Sequence, residues 1–187
     1  VWLADLLMGQ KAIFDARTRS GRVSFQSVAT GRRAGTEALS IAAARDYPDV
    51  GQFVLSQGVD VNARLSVGTT TLLIAAANGN ADVVGMLVAR GADVNAAFVG
   101  RHAETPLHWA ASNDDIAVLD ALLDAGADID VRGGCIADGT PLVDATAFGQ
   151  WHAARRLVER GARRGRWGAA VLGQVGLLGG LVGRRPS

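Results

Sequence analysis

The segment at residues 105–130 reads TPLHWAASNDDIAVLDALLDAGADID, and it contains the start and end signals of two helices. Thr105 can cap a helix through its hydroxyl, and Pro106 suits the first helical turn, where a missing N–H costs nothing. After a pair of alanines come apolar residues at helical spacing, and Gly126 is typical of the left-handed position that ends a helix. The segment therefore predicts a short helix, a tight turn and a second, amphipathic helix.

The same pattern occurs four times along the chain. The copies begin with EALSIAA at Glu37, TTLLIAA at Thr70, TPLHWAA at Thr105 and TPLVDAT at Thr140. A glycine follows 21 residues after each start, at Gly58, Gly91, Gly126 and Gly161. Three of these glycines continue as GVDVN, GADVN and GADID. A repeat of 33 to 35 residues predicts stacked helical hairpins, in which each hairpin buries its apolar faces against its neighbours.

These copies resemble the ankyrin repeat family, whose pattern runs almost intact from Thr105 to Asp130. The resemblance covers about residues 35 to 183. It implies an all-α solenoid of stacked helix–turn–helix repeats with projecting β-turn or loop fingers, formed as a single domain over residues 1–187. Its predicted parts are a degenerate N-terminal cap (1–34), four repeats (35–69, 70–104, 105–139 and 140–163) and a partial C-terminal capping repeat with a tail (164–187).

The composition agrees with such an array and narrows the class of protein. The 187 residues include 33 Ala and 24 Gly but only 5% aromatic residues, which suits closely packed helices and tight turns. The single cysteine excludes a disulfide framework and a cysteine-based zinc cluster, and no signal peptide is recognisable, so we expect a cytoplasmic protein. Arginine supplies 18 of the 19 basic residues, which with the Ala and Gly content indicates a high-GC bacterial coding sequence of actinobacterial type.

The net charge of +1 conceals an uneven distribution of charge. Residues 104–150 contain nine acidic side chains and one basic side chain, whereas residues 151–187 contain eight basic side chains and one acidic one. The acidic stretch favours a protein partner with a basic patch, since complementary charge speeds encounter.

Three groups of residues suggest chemistry, but none has the partners that chemistry needs. His108 occupies the histidine position of the repeat, where the resemblance implies a bond to backbone rather than catalysis. Cys135 lies in a glycine-containing loop with no neighbouring base, which favours an ordinary loop thiol. Asp124, Asp128 and Asp130 lack the glycine and terminal glutamate of a calcium loop. We therefore expect no catalytic residue, no metal ligand and no cofactor.

The uncharged segment from Trp167 to Gly183 has two interpretations. Its register matches a shortened fifth repeat that caps the array. The alternative is a membrane segment, but 17 residues with six glycines are at the lower limit of length and weakly apolar. We favour the cap.

The resemblance also implies where a partner binds. In ankyrin-like arrays the turns between repeats project as fingers, here Arg64–Thr69, Ala97–Glu104 and Arg132–Gly139, and they form a concave face with the exposed ends of the first helices. The candidate protein-binding residues are Leu65, Val67, Asn78, Phe98, Val99, Arg101, His102, Glu104, Ser112, Asn113, Arg132, Ile136 and Phe148. Apolar groups beside arginine are typical of interface hot spots. The same side chains can instead fold back onto the scaffold, so both interpretations stay open for the fingers.

The sequence thus predicts a non-catalytic, monomeric module for protein–protein interaction. We expect Trp109 to belong to the core, whereas Trp151 fits either core or surface. The alternative function is binding of nucleic acid or an anionic membrane by the arginine-rich end, which comprises Arg155, Arg156, Arg160, Arg163, Arg164, Arg166, Arg184 and Arg185. We favour a solvated helix face that offsets the acidic stretch, and hence neither nucleic acid nor membrane as partner. A catalytic role would require residues 1–34 to be the remnant of another domain.

Overall fold

A computed structural model of the protein describes residues 32–65, 68–100 and 102–163, with side chains described from residue 35 onward. Within these ranges the chain forms eight helices and no β-strand. The helices are α1 (Arg32–Ala44), α2 (Pro48–Ser56), α3 (Thr71–Ala77), α4 (Ala81–Ala89), α5 (Pro106–Ser112), α6 (Ile116–Asp124), α7 (Pro141–Ala147) and α8 (Trp151–Glu159). The expected N-terminal cap up to residue 31 and the expected C-terminal capping repeat at 164–187 lie outside the described residues.

The eight helices form two layers. The inner layer contains α1, α3, α5 and α7, each in contact with the next, and the outer layer contains α2, α4, α6 and α8 in the same order. Each inner helix also packs on the outer helix that follows it in the chain. The predicted all-α solenoid of stacked helical hairpins is therefore confirmed.

One leucine position recurs through the inner layer and anchors the core. Leu39, Leu72, Leu107 and Leu142 are the third residues of the four copies, and each is at most 1% exposed. The paired alanines of α3 and α5 are fully buried, so the small side chains allow the inner helices to approach closely. Burial of one leucine stabilises the fold by about 2 kcal/mol relative to exposure.

The local signals at the helix ends act as predicted at Thr70, at the prolines and at the glycines, whereas Thr140, within the described part of the chain, forms no side-chain cap bond. The hydroxyl of Thr70 accepts a hydrogen bond from the backbone N–H of Leu73 at 3.3 Å, and Pro106 and Pro141 occupy the first turns of α5 and α7. The glycines 21 residues after each repeat start have φ between +84° and +100°, a region that other side chains rarely adopt.

The first inner helix differs from expectation in length. α1 covers 13 residues, whereas each of the other inner helices covers seven. The first copy has Ala38 where two others have proline. Proline disfavours helical backbone at the preceding residue, so its absence permits the upstream extension of α1 but does not by itself cause it, because α3 also lacks proline and begins at Thr71.

Polar side chains in the turns tie each repeat to the next one. The side-chain amide of Asn62 donates to the carbonyl of Gly91, and its oxygen accepts the backbone N–H of Asp93 at 2.8 Å. Asn95 forms the same two bonds one repeat later, to Gly126 and Asp128. Because the same two bonds recur in successive repeats, they hold successive turns at the same distance from one another.

A second set of bonds crosses the opposite end of the hairpins. The side-chain amides of Asn80, Asn113 and Gln150 donate to backbone carbonyls at the ends of the preceding inner helices, those of Ala43, Ala77 and Ser112. Both ends of the hairpins are thus fastened between repeats by side-chain bonds to backbone.

Among the described helices, none has the length and apolar character that crossing a bilayer requires. The segment from Trp167 to Gly183, for which a membrane span was the alternative interpretation, lies outside the described residues.

Candidate functional site

The exposed side of the inner layer presents a row of large and polar side chains. Ile74 and Trp109 occupy equivalent positions on α3 and α5, and Asn78, Asn113 and Phe148 occupy equivalent positions at the ends of α3, α5 and α7. Because the inner helices stack in register, equivalent positions lie side by side. We call these five residues the inner face.

Two aromatic side chains make the inner face unusual. Phe148 is 49% exposed and Trp109 is 36% exposed, whereas the neighbouring Leu107 and Ala110 are fully buried. Such large apolar groups gain free energy when they are removed from water. The inner face therefore offers apolar area that the fold itself leaves in solvent.

The expectation that Trp109 belongs to the core was wrong. The helical period places Trp109 about 200° from Leu107 around the axis of α5, away from the buried row. Trp151, for which core and surface were both open, is 39% exposed at the start of α8. Helical periodicity separates Trp109 from the buried leucine row, but the stacking of the neighbouring helices and fingers decides whether that side is exposed, since Asp144 at the equivalent position of α7 is fully buried.

The fingers contact one another along the edge of the array. Arg64 Nη1 donates to the carbonyls of Gly68 in its own finger and Ala97 in the next, both at 2.8 Å. The N–H of Val99 donates to the carbonyl of Gly68 at 3.3 Å. Gly133 in the third finger packs directly against the backbone of Ala103 in the second. The described parts of the three fingers thus contact one another along one edge, and we call these segments the finger row (Arg64–Thr69, Ala97–Glu104 and Arg132–Gly139).

The predicted binding residues fall into three groups by exposure. The exposed ones are Asn78, Val99, His102, Asn113, Arg132 and Phe148; the half-buried ones are Leu65, Phe98, Glu104, Ser112 and Ile136. Val67 and Arg101 lie outside the described residues. None of the described ones is fully buried. The structure brings them onto two adjoining surfaces, the inner face and the finger row.

The sequence left open whether the apolar finger residues bind a partner or fold back onto the scaffold, and in the second finger the structure shows one residue folded back and one exposed. Phe98 folds back, because its ring covers Gly100 and its N–H bonds to the carbonyl of Glu104 at 2.8 Å. Val99 points outward and is 63% exposed. In the second finger, one apolar side chain therefore packs on its own loop and its neighbour remains available to solvent.

His108 has the structural role expected for it. Its side chain is fully buried, Nδ1 accepts the backbone N–H of Thr105 at 3.2 Å, and Nε2 lies 3.2 Å from the carbonyl of Gly139 at the end of the third finger. Since the backbone N–H can only donate, the ring is neutral with its proton on Nε2. Burial lowers the pKa of His108 below its usual value, which favours this neutral form.

Three of the nine acidic side chains of the acidic stretch pair with arginines of the arginine-rich end. Asp120 on α6 accepts bonds from Arg156 Nε at 2.8 Å and from Arg160 Nη1 at 2.9 Å, both from α8. The bonds from Arg156 lower the pKa of Asp120. Arg160 also bonds Asp124, and Arg163 bonds Asp130. Among the described residues, three of the arginines considered as a nucleic-acid or membrane surface are thus bound to acidic side chains of the preceding repeat.

One polar cluster was not expected from the sequence. Ligand-type atoms of Glu104, Cys135 and Asp144 all lie within 4.8 Å of one another, although 40 residues separate the first from the last. Burial raises the pKa of Asp144 to about 6 and the pKa of the Cys135 thiol to about 11. No local motif signals this cluster, because the three residues come from two fingers and an inner helix.

Comparison with known proteins agrees with the geometry. The family model for ankyrin repeats, which contains three copies, matches residues 20–98 and 39–133. The chain belongs to the ankyrin repeat family. A search of curated proteins gave no match. Ankyrin repeats are in general protein–protein interaction modules, and proteins built from them are typically non-catalytic.

Proposed function

We propose that this ankyrin repeat chain is a non-catalytic, monomeric module that binds a protein partner through the inner face and the exposed part of the finger row. The observation that carries the proposal is the exposure of Trp109 and Phe148 on an inner layer whose leucines are buried. Tryptophan in particular is enriched among the residues that dominate binding energy at interfaces.

The scaffold beneath the inner face favours binding without rearrangement. Bonds such as Asn113 to Ala77 and Gln150 to Ser112 hold neighbouring inner helices at fixed spacing. A surface already held in its bound geometry avoids much of the ordering cost that reduces affinity. The partner therefore meets a preformed surface of about three repeats.

Charge supports a partner with a basic patch, but less strongly than the sequence alone suggests. Residues 104–163 contain ten acidic and five basic side chains, a net charge of −5. Three of the acids, Asp120, Asp124 and Asp130, form ion pairs with arginines and are not free to pair with a partner. The remaining negative charge therefore acts mainly at long range, by attracting a basic partner during encounter. The same pairs weaken the case for nucleic acid or a membrane as partner.

A cytoplasmic location belongs to the same proposal. Cys135 is a free thiol, and a chain with a single cysteine fits a reducing compartment. Fractionation of the source organism followed by immunodetection would place the protein directly.

The test is affinity capture with a matched aromatic control. The double variant Trp109→Ala/Phe148→Ala removes the aromatic groups of the inner face, whereas Phe53→Ala removes one from the outer helix α2, where Phe53 is 42% exposed. We expect proteins enriched by the wild type and by Phe53→Ala to be lost with the double variant, measured by quantitative mass spectrometry.

Circular dichroism of all three proteins separates binding from folding. Because both replaced side chains are substantially exposed, the double variant should keep the helical signal and the cooperative melt of the wild type. Equal enrichment by the wild type and a folded double variant would refute the inner face as the binding surface.

A further inference from the structure

The cluster of Glu104, Cys135 and Asp144 lies where three parts of the array meet. Glu104 ends the second finger, Cys135 lies in the third finger, and Asp144 is on α7. One carboxylate oxygen from each acid and the sulfur of the cysteine are all within 4.8 Å of one another. Around a tetrahedral zinc ion, bond lengths of about 2.0–2.3 Å place such donor atoms about 3.3–3.6 Å apart. Small side-chain rotations therefore suffice to bring all three donors onto one ion.

The burial of Asp144 and the lack, among the described residues, of a hydrogen-bond partner for one of its oxygens indicate that a ligand binds there. The residue is fully buried, and its Oδ2 atom has no hydrogen-bond partner within the described part of the chain. Its Oδ1 atom receives one long bond, from the N–H of Ile136 at 3.4 Å. A buried carboxylate is costly unless it is paired or coordinates a metal.

The adjoining backbone is shaped around this carboxylate. A Cβ added to Gly134 would lie 2.5–2.8 Å from the carboxylate atoms of Asp144, so only glycine allows this approach. The fold thus holds a buried carboxylate that has one oxygen unpartnered by the residues that the structure describes, and a carboxylate oxygen of Asp144 lies within 4.8 Å of the donor atoms of Glu104 and Cys135.

We propose that Glu104, Cys135 and Asp144 form a binding site for a divalent cation of the zinc type. One sulfur and two carboxylate oxygens match the ligand types that zinc uses, and a water molecule supplies the fourth position of a three-residue site. The soft sulfur donor selects against Mg²⁺ and Ca²⁺, which prefer oxygen ligands alone. On binding, the thiol releases its proton to solvent and the thiolate becomes the ligand.

The bound ion has a structural effect on the finger row. It joins the second finger, the third finger and α7, and so links the repeats 70–104, 105–139 and 140–163. A ligand that binds only the folded state raises its stability with concentration. We therefore expect zinc to stabilise the array without any partner present.

The first experiment uses the full chain without a histidine tag, treated with EDTA and then dialysed. Isothermal titration with ZnCl₂ should give one site per chain, and a thermal melt followed by circular dichroism should shift upward with added zinc. CoCl₂ should give the near-ultraviolet absorption of a cobalt–thiolate bond. A chain that binds neither ion at micromolar concentration would overturn the proposal.

Variants assign the site to its residues. Asp144→Asn and Cys135→Ser should each weaken zinc binding at least tenfold, since each removes one of three ligands. Asp82→Asn, an exposed acid on α4, and His152→Gln, an exposed histidine on α8, should leave it unchanged. Zinc binding that survives both cluster variants, or that is lost in His152→Gln, would show adventitious binding elsewhere and overturn the proposal.

A measurement on the unaltered chain covers the case in which a cluster variant does not fold. Alkylation of Cys135 by iodoacetamide, followed by mass spectrometry, should slow at least tenfold when zinc is added and recover with EDTA. Calcium and magnesium chloride should leave the rate unchanged. An alkylation rate indifferent to zinc would contradict a thiolate ligand.

Discussion

At the scale of the residue, His108 connects three segments through one imidazole. Nδ1 accepts from the backbone of Thr105 at the start of α5, and Nε2–H donates to Gly139 in the following finger. Both bonds require the neutral ring with its proton on Nε2. The sequence predicted this role from the position of the histidine in the repeat, whereas the partner Gly139, 31 residues further along, follows only from the fold.

Protonation of His108 should therefore destabilise the fold. Burial lowers the pKa of the folded state below the unfolded value of 6.5, so stability falls as the pH falls through the interval beneath 6.5. The variant His108→Gln lacks this titration and should be less stable than wild type at pH 8 by about 1–2 kcal/mol, for two lost bonds. Urea unfolding followed by circular dichroism at pH 8, 7, 6 and 5 should show the gap narrowing toward low pH. A constant gap across the series would mean that His108 does not titrate in this range.

At the scale of the element, the sequence predicted the helices well because their signals are local. Thr-Pro starts, buried leucines and terminal glycines act within one hairpin, and these were placed correctly. The prediction failed where contacts from elsewhere decide the outcome. The orientation of Trp109 depends on which side of α5 the neighbouring helices cover. The meeting of Glu104, Cys135 and Asp144 depends on how two fingers stack over α7.

The turn asparagines give this stacking a measurable strength. Asn95 bonds Gly126 and Asp128 of the next repeat, so Asn95→Ala should cost about 1–2 kcal/mol of unfolding free energy. Asn78→Ala is the matched control, because the side-chain bond of Asn78 goes to Ile74 in its own helix. We expect a smaller loss for the control in urea unfolding. Equal losses of unfolding free energy in the two variants would show that the inter-repeat bonds contribute no more than a bond within one helix.

At the scale of the whole molecule, charge changes sign along the array where the fourth repeat stacks on the third. The carboxylates of α6 face the arginines of α8, and Asp120 alone receives Arg156 and Arg160. Acidic and basic side chains that are far apart in the sequence therefore pair across this junction. Exposed pairs are individually weak, but a shared carboxylate with two-point contact to arginine is among the stronger kinds.

This arrangement predicts a salt-dependent junction between the third and fourth repeats. Asp120→Asn leaves Arg156 and Arg160 without their shared carboxylate, and we expect it to lower the melting temperature by a few degrees at low salt. Raising NaCl to 1 M shortens the screening length to about 3 Å, so the difference from wild type should shrink by roughly half. Hydrogen exchange should show the loss of protection concentrated in α8. Asp82→Asn on α4 is the control, and we expect a smaller loss of melting temperature from it, because it removes only the interaction of one acid with a helix N-terminus. A difference between wild type and Asp120→Asn that is independent of salt would indicate packing rather than charge at this junction.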